Sequence, residues 1–256
     1  MAIQDTFSGP AGFRPARKIR PTEWLVSLRS VEEVEIAAQY PVDILDLKEP
    51  QRGPLAPAST QLWLATAKIV AALGESAPKL SAALGEPDEA RTVAADLPMC
   101  FDFAKAGPSG CDSAAKLMQM WDDVRDRLSA SIELVAVAYA DHDAANSLAA
   151  ESVFKLAKQA GLSRCLVDTF TKNGQSTLDQ LGLERLRWVH ELASQMGLWW
   201  ALAGSIRIDD VDSLGHQGIH PDCVGVRGDI CADDRTSPLC PTRMSVWSDR
   251  LAKPQT

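Results

Sequence analysis

The 256-residue chain is 46% hydrophobic and 23% charged, with 16 glycines and 15 prolines. This ordinary globular composition excludes collagen, a coiled coil or disorder as its main organisation. Its 26 basic and 34 acidic residues leave a net charge of -8, so neither a nucleic-acid backbone nor an anionic membrane gains from the surface as a whole. At about 150 residues per domain, the length allows two small domains or one large one.

In chain order, residues 1–22 mix glycine, proline and basic residues without periodicity and read as an N-terminal extension to a domain over 23–256. From Trp24 onward a short apolar run recurs eight times: WLVSLR, DILDLK, KLSAALGE, CFDFAKAG, LVAVAYAD, RCLVDTF, LWWALAGS and CVGVRG. Most are separated by segments with helical spacing of apolar residues, such as TQLWLATAKIVAAL and LDQLGLERLRWVHELASQMG. Gly161 and Gly197 stand where left-handed helix caps are useful, PDEARTVAADLP is a short and weak helix, and a closing helix is expected around Thr242 to Leu251. Alternating strands and helices imply right-handed βαβ units, and eight of them fit a single closed (β/α)₈ TIM barrel of about 250 residues. A doubly wound open sheet uses the same units but ranks second, because no G-x-G-x-x-G follows the first strand.

Six cysteines without a C-x-x-C pair suggest a reduced protein. The absence of a long apolar span or a signal-like N-terminus adds a cytoplasmic location to that expectation.

Side chains at the C-terminal ends of barrel strands converge on one pocket. Two runs end in lysine, and alternation places Asp46 with Lys48 on one face, and Phe101, Phe103 and Lys105 on another. A partly desolvated lysine beside a second cation gives up its proton near neutral pH and can serve as nucleophile or base; the plainer alternative is a lysine closing a strand at the surface. Asp168 can orient such an amine or pass on a proton, and Lys172 can meet a phosphate or act as a further amine. Equally, this stretch can be a helix start capped by Asn173, Ser176 or Thr177.

The glycine-bearing turns after the last two runs, Gly204–Ser205 and Gly225 to Gly228 with Arg227, suit a phosphate. Asp141 is a pocket acid or a helix cap, with no second cluster near it in sequence to complete a metal site. The tryptophans, Trp188 among them, read as packing residues.

The segments LVSLRSVEEV, DILDLKEPQRGPLAP, SAALGE, FAKAG, AYAD, LVDTFTKNGQSTLD, ALAGSI and VGVRGDIC, in this order, resemble the (5-formylfuran-3-yl)methyl phosphate synthase family over about residues 24 to 232. The resemblance implies a barrel enzyme of methanofuran biosynthesis that condenses two molecules of glyceraldehyde 3-phosphate, with loss of phosphate and water and without metal or organic cofactor. By the same resemblance Lys48 matches the Schiff-base lysine, Lys105 the proton acceptor, and Asp168 and Lys172 a further active-site pair. Here Ala106, Gly107 and Pro108 follow Lys105, where the family usually has a glycine and an apolar residue.

On this expectation one phosphate sits against Gly204, Ser205, Gly225, Arg227 and Gly228, the other near Arg52 or Lys172, with Asp46 assisting proton relay. The partner is a small phosphorylated aldehyde, and apolar positions on barrel helices are compatible with a homo-oligomer. The rival readings are another class I aldolase or sugar-phosphate isomerase, and a non-catalytic barrel subunit that binds a phosphorylated metabolite.

Overall fold

The computed structural model describes residues 22–252; almost all of the expected N-terminal extension therefore lies outside the described residues. Eight strand-helix units follow one another: β1 (Glu23–Leu28), α1 (Val31–Ala37), β2 (Ile44–Leu47), α2 (Thr60–Ala71), β3 (Lys79–Ala83), α3 (Pro87–Val93), β4 (Phe103–Ala106), α4 (Ala114–Arg125), β5 (Glu133–Tyr139), α5 (Ala150–Gln159), β6 (Arg164–Asp168), α6 (Thr177–Met196), β7 (Trp199–Leu202), α7 (Ile208–His216), β8 (Cys223–Val226) and α8 (Pro241–Leu251). All neighbouring strands are parallel, and β8 returns to β1 with Trp24 opposite Val224, so the sheet closes into a barrel with no edge.

Local chemistry sets the element boundaries. Ser30, Ser59, Ser113 and Ser176 each accept an amide from the first turn of the helix they precede. Pro87 and Pro241 occupy first-turn positions, where their missing N–H costs nothing. Gly161 and Gly197 have φ of 75° and 61°, the left-handed conformation that ends α5 and α6. Within α6, Gly182 is non-helical at φ 71° and kinks the element.

Period-two alternation divides the apolar residues into two cores. Leu45, Leu47, Ala104, Val167 and Val224 face outward and pack under the helices, whereas Leu25, Ile44, Phe103, Val137, Leu166 and Cys223 fill the barrel. Phe101 departs from expectation: β4 begins only at Phe103, and Phe101 packs edge-on against Trp63 in the outer core, 6.4 Å between centroids. Trp188 is 49% exposed, with Lys155 over its ring at 5.8 Å, and is not a core residue.

The N-terminal end of the barrel is closed by a stack. The Arg164 guanidinium lies 4.7 Å from the Phe103 ring and 4.3 Å from the Trp199 ring, and its Nε donates to Glu133 at 2.9 Å. Lys79 Nζ lies 5.5 Å from the centroid of the same Phe103 ring and pairs with Glu23. Polar side chains inside the barrel are therefore reached from its C-terminal mouth. No helix among the described residues is long and apolar enough to cross a membrane.

Candidate active site

The mouth opens on a cavity of about 410 Å³ lined by Lys48, Asp168, Lys172, Gly204, Ser205, Gly225, Arg227 and Gly228. Residues far apart in sequence meet there because each stands at or just beyond the C-terminal end of its strand. Asp46 and Lys105 lie deeper on the same interior surface, and Lys105 also borders a small void among Leu25, Ile44, Phe103 and Leu166.

Two of the three lysines are ion-paired. Lys105 Nζ is 2.6 Å from Asp46 Oδ1, with both side chains buried, and Asp46 Oδ2 accepts from Ser27 Oγ at 3.0 Å. Lys172 Nζ donates to Asp168 Oδ1 at 2.8 Å and to Thr169 Oγ1 at 3.0 Å, and the Thr169 amide donates to the same carboxylate oxygen at 2.7 Å. Burial alone would raise the Asp168 carboxyl, but Lys172, Lys48 and these hydrogen bonds outweigh it and hold the group at about 2.

Lys48 is buried and forms no ion pair among the described residues. Desolvation pushes its ammonium down to about 7; Asp168 and Asp46 pull it upward, while Lys172 and Lys105 push it further down. Three ammonium groups share two carboxylates, and Lys48 is the one left over. At neutral pH a large fraction of this side chain is a free amine, the state a nucleophile needs.

The glycine turn after β7 is shaped by close approach. Gly204 has φ 89°, and a β-carbon there would meet Thr177 Oγ1 and lie 2.7 Å from the Thr169 amide nitrogen. Ser205 also has positive φ, at 53°. A Gly204→Ala variant is expected to lose on the order of 3 kcal/mol from overpacking and left-handed strain together. A denaturant titration checks this, and a midpoint equal to that of the parent would contradict it.

Two of the expected phosphate ligands are otherwise engaged. The Arg227 guanidinium is buried against Glu33, with Nη1 to Oε2 at 2.8 Å and Nη2 to Oε1 at 3.1 Å, and it also donates to the carbonyls of Ser27 and Arg235. It borders the cavity, but its donors are committed to protein acceptors. Arg52 lies away from this cavity and pairs with Glu89 at 2.5 Å. Asp141 is neither pocket acid nor helix cap: its two oxygens accept the Phe170 and Thr171 amides at 2.7 Å each and brace the loop after β6.

The structure adds residues that sequence reading missed. Ser27, two residues after Leu25 on the interior face of β1, was open to detection by alternation. Tyr139 ends β5 inside the barrel and donates to Glu86 Oε1 at 2.6 Å; burial raises both groups. Arg235, in the aperiodic segment after β8, lines the cavity and had no detectable signal.

A wider groove of about 720 Å³ lies outside the barrel between α3 and α4. Its cations are neutralised, Arg91 by Asp88 and Asp123 and Lys116 by Asp112. Among the described residues, no group of three or more His, Cys, Asp or Glu side chains could hold a metal ion.

Solved structures that resemble this chain share little sequence identity with it. A (S)-3-O-geranylgeranylglyceryl phosphate synthase from Thermoplasma acidophilum superposes with a TM-score of 0.61 at 11% identity, covering 92% of this chain and 94% of that one. A phosphoribosyl anthranilate isomerase from Thermus thermophilus gives 0.58 at 12%, covering 90% and 98%. At that distance they establish the fold alone.

Sequence relatives are closer. Proteins named (5-formylfuran-3-yl)methyl phosphate synthase from Methanosarcina barkeri and Archaeoglobus fulgidus are 30% and 29% identical, each match covering 84% of this chain and 93% of the relative. One from Methanococcus maripaludis is 31% identical over 81% and 89%. The model of the 4-HFC-P synthase family matches residues 24–248, which takes in every strand from the second residue of β1 and most of α8. With the family model and these relatives spanning the whole barrel, the chain belongs to the 4-HFC-P synthase family and is an enzyme.

Proposed function

We propose that the chain condenses two molecules of glyceraldehyde 3-phosphate to (5-formylfuran-3-yl)methyl phosphate through an imine on Lys48, in the biosynthesis of methanofuran or a related one-carbon cofactor. The observation that carries this reading is the buried, unpaired Lys48 amine, poised at about 7 between two lysine-aspartate pairs.

The amine adds to a triose carbonyl, water leaves, and the resulting iminium acidifies the adjacent C–H. Lys105, held 2.6 Å from Asp46 with Ser27 hydrogen-bonded behind that carboxylate, is the side chain assigned to accept that proton. The enamine then adds to the second aldehyde. Asp168 stays ionised and keeps the Lys172 ammonium at the mouth, where it offsets the charge of the departing phosphate. Ring closure and dehydration form the furan, and hydrolysis of the imine frees the aldehyde and returns the Lys48 amine. The substrate is a small phosphorylated aldehyde met in the cytoplasm, with no role for nucleic acid or membrane.

Incubation of the purified chain with glyceraldehyde 3-phosphate alone tests the reading. An ultraviolet absorbance characteristic of a furan aldehyde is expected, with release of inorganic phosphate in equal amount. Phosphate release without that chromophore, or consumption of the triose with neither, would remove the condensation assignment.

A further inference from the structure

The segment between β8 and α8 is a built hairpin. Cys231 pairs with Leu239 in an antiparallel bridge, Ala232 N donates to Pro238 O at 2.9 Å, and Cys240 N donates to Ile230 O at 2.8 Å. Asp234 Oδ1 closes the tip by accepting the Thr236 and Ser237 amides at 2.8 and 3.0 Å. Two guanidiniums grip the hairpin from the barrel: Arg29 Nη1 donates to Thr236 O at 2.6 Å, and Arg227 Nε to Arg235 O at 2.5 Å.

What this scaffold fixes in place over the cavity is the backbone of Arg235. Its side chain is partly buried and lines the same wall as Lys48, Lys172 and the Gly204–Ser205 turn. The guanidinium donates to Gly53 O at 3.3 Å, on the loop that follows Lys48. Arg207 and Arg227 of the same cavity are ion-paired, but among the described residues Arg235 has no carboxylate within ion-pairing distance. Burial and the neighbouring Arg227 disfavour its charge, and Asp168, Glu49 and Asp234 offset this only in part, from beyond ion-pairing distance. A cation held half-buried without a counter-ion is stabilised when an anion enters.

The geometry points to Arg235 as the residue that recognises the phosphate ester of the substrate, exchanging its long bond to Gly53 for a paired contact with a phosphate monoester. The hairpin is then a specificity element whose anchor is the Arg227–Glu33 pair, and Arg227 is a positioning residue. This inference deepens the proposed function and relies on it for the identity of the ester.

The test is calorimetric titration of the purified chain with inorganic phosphate and with glycerol 3-phosphate. Arg235→Gln is expected to weaken both by about 10- to 100-fold, the scale of a charge-assisted paired contact. Unchanged affinity in Arg235→Gln overturns the assignment, and so does a parent protein that binds neither probe. If Arg235→Gln does not fold, Arg235→Lys decides: it keeps the charge but not the planar fork, so weaker binding supports the proposal and parental binding overturns it.

Borohydride trapping of glyceraldehyde 3-phosphate on Lys48 separates the two readings. Loss of the adduct with Arg235-dependent phosphate binding intact would sink the imine alone. A normal adduct with phosphate affinity indifferent to Arg235 would sink this inference alone.

Discussion

A Lys48→Ala variant loses turnover by about 10⁴-fold or more, the scale seen when the nucleophile of a concerted site is removed, and it no longer yields a borohydride-trapped adduct. The size of the effect follows from the division of roles. Lys105 and Lys172 are each bound to an aspartate, at 2.6 and 2.8 Å, so neither replaces a missing free amine.

The pH profile carries the same signature. Below about 7 the Lys48 side chain is protonated and has no lone pair to offer; above it the amine is free, so kcat/KM of the parent rises as pH increases through 7. Asp168 pulls the Lys48 group upward, so Asp168→Asn shifts this limb to lower pH. Retention of more than about a tenth of parental turnover in Lys48→Ala would exclude the imine from this residue.

The second large effect lies outside the cavity. Glu33→Ala leaves the Arg227 guanidinium buried without its carboxylate, a loss of about 3–5 kcal/mol for a broken buried pair. In a chain of this size that corresponds to a drop in Tm on the order of 10 °C, read by calorimetry. Combining Glu33→Ala with Arg227→Met removes both charges and recovers a large part of the loss. A single variant melting within about 2 °C of the parent would show that water or another group satisfies Arg227.

Glu33 also shows where sequence reasoning stops. Ser30 and Glu33 have the spacing of a helix capping box, and Ser30 does accept the Glu33 amide at 3.3 Å. The Glu33 carboxylate, however, takes the Arg29 amide and an arginine 194 positions away. Period-two alternation exposed the two faces of the sheet, and with them Asp46, Lys48, Lys105 and Asp168, because that signal is local. It misplaced Phe101 because the position where a strand begins depends on its neighbours.

Residue type and loop position mark Arg227 and Arg52 as anion ligands, and nothing nearby in the chain reveals a distant carboxylate. Arg235 gives no signal for the same reason: a loop without periodicity gives no direction to its side chains, and the backbone of this one is held by Arg29 and Arg227, which follow the adjacent strands β1 and β8. The legible part of the site is what strands carry, and the illegible part is what long-range ion pairs hold in place.

The stack of Phe103, Arg164 and Trp199 makes the barrel a cup with one doorway. For a reaction that joins two aldehydes and discards phosphate and water, that single opening imposes a queue: the second aldehyde enters past the first, and the phosphate shed must leave by the way it came. Under the proposed condensation, inorganic phosphate and incoming triose then compete for the same passage, and added phosphate is expected to slow turnover.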